Sequence, residues 1–116
     1  SQISVQSNSN FFDIIIDDGS HYLSDILFSL KNLFKYIKQG GVYIIEDFKF
    51  PNYYNYNRNI DHILVDQTLK HLQEKQLFNS NIIKKDDQIY LHKNINKVKT
   101  HKGNLKESDI CFIEKI

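Results

Sequence analysis

Two short runs of β-branched and aromatic residues constrain the fold of this chain most. Phe12-Asp13-Ile14-Ile15-Ile16-Asp17 and Val42-Tyr43-Ile44-Ile45 are apolar at consecutive positions, not only at alternate ones. Successive strand residues point to opposite faces, so such runs predict strands buried on both sides, as in a parallel sheet. The stretch between them has helical spacing. Leu27, Leu30, Phe34 and Ile37 recur at intervals of three and four, Ile26 and Leu33 widen that stripe, and Lys31, Lys35 and Lys38 fall opposite. This predicts a helix over about residues 24–39, capped by Ser24, with Asp25 in the first turn and Gly40-Gly41 as a left-handed stop. Strand, helix and strand in this order form a βαβ unit, with parallel strands and a right-handed crossover. The expected fold class is therefore α/β.

Both runs end in acid. The first closes in Asp17-Asp18-Gly19-Ser20-His21, the second in Glu46-Asp47. If the strands are parallel neighbours, both ends lie at one carboxyl edge, roughly 5 Å apart, where open α/β sheets hold ligands. Asp18, Glu46 and Asp47 crowded there would repel one another unless a cation sits among them. Oxygen ligands with room for water suit magnesium, manganese or calcium better than zinc. His21, on the same turn as Asp18, is placed to take a proton from a hydroxyl polarised by the metal. Acidic residues also end strands as helix caps and solvated turns. The residues alone leave both readings open.

After the second run, residues 48–59 form an Asn- and Tyr-rich loop around Pro51. A second helix is expected over about residues 60–76, with Ile63, Leu64, Leu69 and Leu72 in the core. Alternation then predicts strands over residues 88–92 and 95–101, and Ile110, Phe112 and Ile113 mark a third over 109–116, the last two forming an antiparallel hairpin at the end of the sheet.

Composition excludes several classes. Fifteen Lys and Arg against fourteen Asp and Glu give a net charge of +1, so no global field favours nucleic acid. One cysteine, Cys111, rules out an internal disulfide framework, and no apolar run approaches the roughly 20 residues that span a bilayer. With no signal-peptide pattern in residues 1–10, a cytoplasmic protein with no membrane partner is expected.

The Phe12–His21 motif, followed after the helix by Gly40-Gly41-Val42-Tyr43-Ile44-Ile45-Glu46-Asp47, resembles class I S-adenosylmethionine-dependent methyltransferases. It is most similar to the metal-dependent sugar O-methyltransferases of macrolide biosynthesis, and shares much with their cephalosporin-hydroxylase-like relatives. The resemblance covers about residues 12–54. It implies that Asp18, Glu46 and Asp47 hold Mg2+ (or Mn2+) and that His21 is the general base for the acceptor hydroxyl. Asp17 would lie beside the methionine portion of S-adenosylmethionine. Tyr53 and Tyr54 are candidates to stack on a sugar acceptor.

The family's earlier half, with a Gly-rich turn against the cofactor, has no counterpart here, since Gly19 is the first glycine. Residues 1–116 are thus expected to be one partial domain, the C-terminal half of a Rossmann-like methyltransferase fold. The edge of the Phe12 strand would be left bare. The function implied is part of a metal- and S-adenosylmethionine-dependent O-methyltransferase, with a small hydroxyl acceptor such as a sugar. A complementing N-terminal half or a homo-oligomer would be its protein partner. The alternative is a non-enzymatic remnant or assembly module that completes its sheet with another polypeptide. A third reading keeps the metal without the methyl donor, as the hydroxylase-like relatives suggest.

Overall fold

The computed structural model describes the backbone of residues 3–6 and, with side chains, residues 11–53, 61 and 63–116. Strands β1 (Ile3–Gln6), β2 (Phe12–Asp17), β3 (Ile37–Ile45), β4 (Ile95–His101) and β5 (Ile110–Lys115) form one mixed sheet in the order β1-β2-β3-β5-β4. Helix α1 (Leu23–Leu33) joins β2 to β3, followed by a single 3-10 turn at Phe34–Tyr36. The short α2 (Phe50–Tyr53), then α3 (Val65–Gln73) and α4 (Lys85–Asn94), connect β3 to β4.

The βαβ unit is present as expected. Strands β2 and β3 are parallel neighbours, with Ile15 opposite Tyr43 and Asp17 opposite Ile45. The terminal hairpin is present too: β4 and β5 pair antiparallel, and β5 lies beside β3. Along the sheet, Ile15, Tyr43, Ile45, Cys111 and Ile113 are buried in one cluster with Leu23, Leu27 and Leu30 of α1, Leu69 and Leu72 of α3 and Leu91 of α4. All three longer helices therefore feed one core on one face of the sheet.

Several expectations need correction. The helix placed at residues 24–39 ends at Leu33, and Gly40-Gly41 lies inside β3, not at a helix stop. Pairing decides this: Ile37 is already opposite Phe12, and the register shifts before Ile14 meets Val42. Glycine in a strand marks such an irregularity and a close backbone approach. A Cβ on Gly41 would lie 2.7 Å from the Asp13 carbonyl oxygen. Ser24 does not cap α1. The N-cap is Tyr22, with no side-chain cap bond; Ser20 Oγ accepts its N–H at 3.3 Å and donates to Asp25.

Residues 88–92 are not a strand but the middle of α4. The Lys84 N–H donates to Asp87 Oδ2 at 3.0 Å, and Asp86 and Asp87 occupy the first turn. Gln88 is buried, accepting from the Phe78 N–H and donating to the Phe78 and Ile83 carbonyls. The second predicted helix is present but shorter, at Val65–Gln73. Finally, the edge of β2 is not bare, because β1 pairs with it antiparallel, Ile3 opposite Asp17. Among the described residues no helix is long and apolar enough to cross a membrane.

Candidate metal centre

Because β2 and β3 run in register to Asp17 and Ile45, the residues that follow leave the sheet side by side. The Glu46 N–H still donates to the Asp17 carbonyl at 3.1 Å, continuing the ladder by one residue. Asp47 then turns away with φ of 54°. Consecutive strand residues point to opposite faces, so this left-handed residue is what brings the Asp47 carboxylate round to the Asp18 side. On the facing turn His21 has φ of 62°. Neither residue is glycine, and such conformations cost on the order of 1–3 kcal/mol each. Two of them face each other across one edge.

The result is a cluster. His21 Nε2 lies 3.4 Å from Asp47 Oδ2, and both side chains are partly exposed. Ligand atoms of Asp18, His21 and Asp47 all lie within 4.8 Å of one another. An ion with bonds of about 2.1–2.6 Å spans trans ligands about 4–5 Å apart, so this separation suits one ion. The Phe50 ring lies against the imidazole, with ring centroids 5.6 Å apart. Nothing in the sequence pattern marked Phe50 except its place beside Pro51.

Glu46 adjoins this trio. Burial first, then the charges of Asp18 and Asp47 and a hydrogen bond with Asp18, hold its carboxyl above its ordinary range. A carboxyl raised by its acidic neighbours marks a crowded acidic site. The donor set therefore fits a hard divalent ion. The four residues read as metal ligands and base, Asp18, His21, Glu46 and Asp47, meet at one edge. The mutual grouping is Asp18, His21 and Asp47, with Glu46 bonded to Asp18.

Asp17 lies beneath them, 3% exposed. Its Oδ1 accepts the Gly19 N–H at 3.2 Å, while Oδ2 is buried without a hydrogen-bond partner. Burial pushes its pKa up to about 6, against the opposing pull of the Gly19 N–H and His21. The Tyr43 hydroxyl is likewise buried and unpartnered, and burial and then the Asp17 charge raise its pKa. Tyr53 is exposed, with Lys106 Nζ 4.7 Å from its ring centroid. Tyr54 lies outside the described residues.

Comparison with known proteins bears on this geometry. No family model matches the chain. The structure aligns with MycE methyltransferase from the mycinamycin biosynthetic pathway in complex with Mg, SAH and mycinamycin VI. The TM-score is 0.56 at 24% identity, over 90% of this chain and 25% of that one. A second MycE structure, with Mg and SAH, gives 0.54 at 26% identity, over 90% of this chain and 27% of that one. The fold is that of part of a class I methyltransferase.

Sequence relatives point the same way. Mycinamicin VI 2''-O-methyltransferase of Micromonospora griseorubida is 50% identical over 36 residues, 31% of this chain and 9% of that protein. Demethylmacrocin O-methyltransferase of Streptomyces fradiae shows the same identity and shares. L-olivosyl-oleandolide 3-O-methyltransferase of Streptomyces antibioticus is 44% identical over 43 residues, 37% of this chain and 11% of that protein. The matched stretch thus spans about a tenth of these methyltransferases, and the chain about a quarter of the solved one.

Proposed function

We propose that this chain supplies the metal-holding and proton-accepting edge of a magnesium- and S-adenosylmethionine-dependent O-methyltransferase that acts on a sugar or similar hydroxyl in the cytoplasm. The observation that carries the reading is the meeting of Asp18, His21 and Asp47 at the carboxyl edge of two parallel strands. Asp18 and Asp47 would hold the ion, with Glu46 beside Asp18 to complete an oxygen-rich set. When bound, the ion supplies the field that eases loss of a hydroxyl proton, and S-adenosylmethionine supplies the methyl group.

His21 receives that proton. Its Nε2 lies 3.4 Å from the Asp47 carboxylate, and the Phe50 ring packs against the imidazole. The orphaned Asp17 Oδ2 offers a buried acceptor to a donor group, which suits the cofactor's methionine portion. A second arrangement, with His21 as a third ligand, is favoured by the mutual distances of the trio.

We further propose that residues 1–116 act as the C-terminal half of a methyltransferase domain. The second face of the sheet supports this. Ile16, Ile44 and Phe112 form one cross-strand row, Ile14 and Val42 another, and all five are only partly buried. Strands apolar on both faces belong to sheets with helices on both sides. The other half of the domain would supply that second layer, together with the Gly-rich turn absent from residues 1–116.

Equilibrium dialysis of the 116-residue chain against S-adenosylhomocysteine tests the division. No measurable binding is expected from the chain alone, with binding restored by addition of a cofactor-binding half. Tight binding to residues 1–116 alone would contradict the proposed division.

A further inference from the structure

The hairpin tip between β4 and β5 lies at the same sheet edge as the acidic cluster, one strand over. The Phe48 N–H, one residue past Asp47, donates to the Asp109 carbonyl at 3.2 Å and ties the two together. Beside this tie is a cavity of about 310 Å³ whose charged lining is Lys49, Lys102, Lys106 and Asp109, with Tyr53 as an aromatic wall. Its volume is at the lower end of small-ligand sites. Glu107, the other acid of this loop, is not part of the lining.

The cavity is built, not merely decorated. Asp109 is 7% exposed and holds Lys49 Nζ at 3.1 Å and the Gly103 N–H at 3.3 Å. Although burial raises the Asp109 carboxyl, Lys49, the Gly103 amide and Lys102 outweigh it and keep the carboxyl ionised below its ordinary range. The Leu105 N–H donates to Ser108 Oγ at 2.9 Å, so the loop closes on itself, and any side chain at Gly103 would run into Ser108. One buried carboxylate therefore holds Lys49, and three lysines outnumber it in the lining. Lys102 is exposed, and Lys106 rests over the Tyr53 ring.

We propose that Lys49, Lys102 and Lys106, walled by Tyr53, form a subsite for an anionic group, a phosphate or carboxylate, carried by the hydroxyl acceptor. This rests on the methyltransferase reading above and narrows it. The acceptor is an acidic sugar whose charged group sits over the lysines with its ring beside Tyr53. Lysine recognises such groups as a point charge, and Tyr53 adds the flat apolar face that sugar rings favour.

Amide NMR of the full 116-residue chain, free of divalent ions, tests the proposal with glucose 1-phosphate, inorganic phosphate and glucose. Glucose 1-phosphate should produce saturable shifts at Gly103 and Lys106, and should bind more tightly than phosphate, with glucose causing none. Lys102→Gln with Lys106→Gln should weaken it by about tenfold or more, the scale of one lost charge-assisted bond. Lys102→Arg with Lys106→Arg should retain it, which separates lost charge from a disturbed loop. No saturable shift, or shifts indifferent to the Gln substitutions, would overturn the subsite. Equal affinity for phosphate and glucose 1-phosphate would overturn its assignment to the acceptor. Failure here with Mn2+ binding intact at Asp18 would remove this inference and leave the metal centre standing.

Discussion

In an enzyme completed by its cofactor-binding half, His21→Ala should lower turnover by roughly 10²–10⁴-fold, the range of a lost general base. Metal affinity should be kept, because Asp18 and Asp47 hold the ion in this account and His21 lies beside it. Alanine also fits poorly at φ of 62°, so part of any loss could come from the turn itself. His21→Asn controls for this, because Asn tolerates left-handed backbone yet cannot serve as a base near neutral pH. Both variants should therefore lose turnover alike, while Asp18→Ala should lose activity and magnesium dependence together. If either His21 variant abolished metal binding while the chain stayed folded, the imidazole would be a ligand, as the second arrangement holds. Turnover unchanged in all three variants would reduce the acidic edge to solvated turns.

Gly41→Ala should destabilise the chain by about 2–4 kcal/mol, read as a lower urea midpoint. Its Cβ would meet the Asp13 carbonyl oxygen at 2.7 Å, Ile37 Cγ2 at 2.8 Å and the Lys38 carbonyl oxygen at 3.1 Å. Two of these are backbone atoms of the sheet and have nowhere to go. The neighbouring Gly40 provides a scale. It has φ of 82° and open space around its Cβ direction, so Gly40→Ala should cost only the left-handed penalty of about 1–2 kcal/mol. The consequence reaches the site, since β3 sets where Glu46 and Asp47 leave the sheet. A Gly41→Ala chain as stable as Gly40→Ala would show that this close approach is not needed.

The parts of the fold visible in the sequence are those where burial leaves a local trace. The β2 and β3 runs are apolar at consecutive positions, and so is the first half of β5. Elsewhere the deciding contacts are distant in sequence. In α4, Ile89 and Leu91 alternate like a strand, and what makes the segment helical is its acidic first turn and Gln88 gripping the Phe78 and Ile83 backbone. A double glycine reads equally as a helix stop or a strand irregularity, and only the pairing of Ile37 with Phe12 decides. Strand β1 is four residues, Ile-Ser-Val-Gln, too short to rise above its surroundings.

Legibility of the site divides in the same way. Strand-end acids can be read from sequence because a parallel pair must deliver them to one edge. The left-handed turn at Asp47 cannot, because nothing obliges an aspartate to adopt it. The lysine cavity had no local signal, since Lys49 and Lys102 meet only when the hairpin folds back beside β3.

Asp18 and Asp47 are proposed to form a divalent-metal centre. Titration of the 116-residue chain with Mn2+, followed by water-proton relaxation, tests it most directly. One saturable site is expected, competed by Mg2+ and lost in both Asp18→Ala and Asp47→Ala, with the fold confirmed by unchanged circular dichroism. No saturable site, or one indifferent to both substitutions, would contradict it.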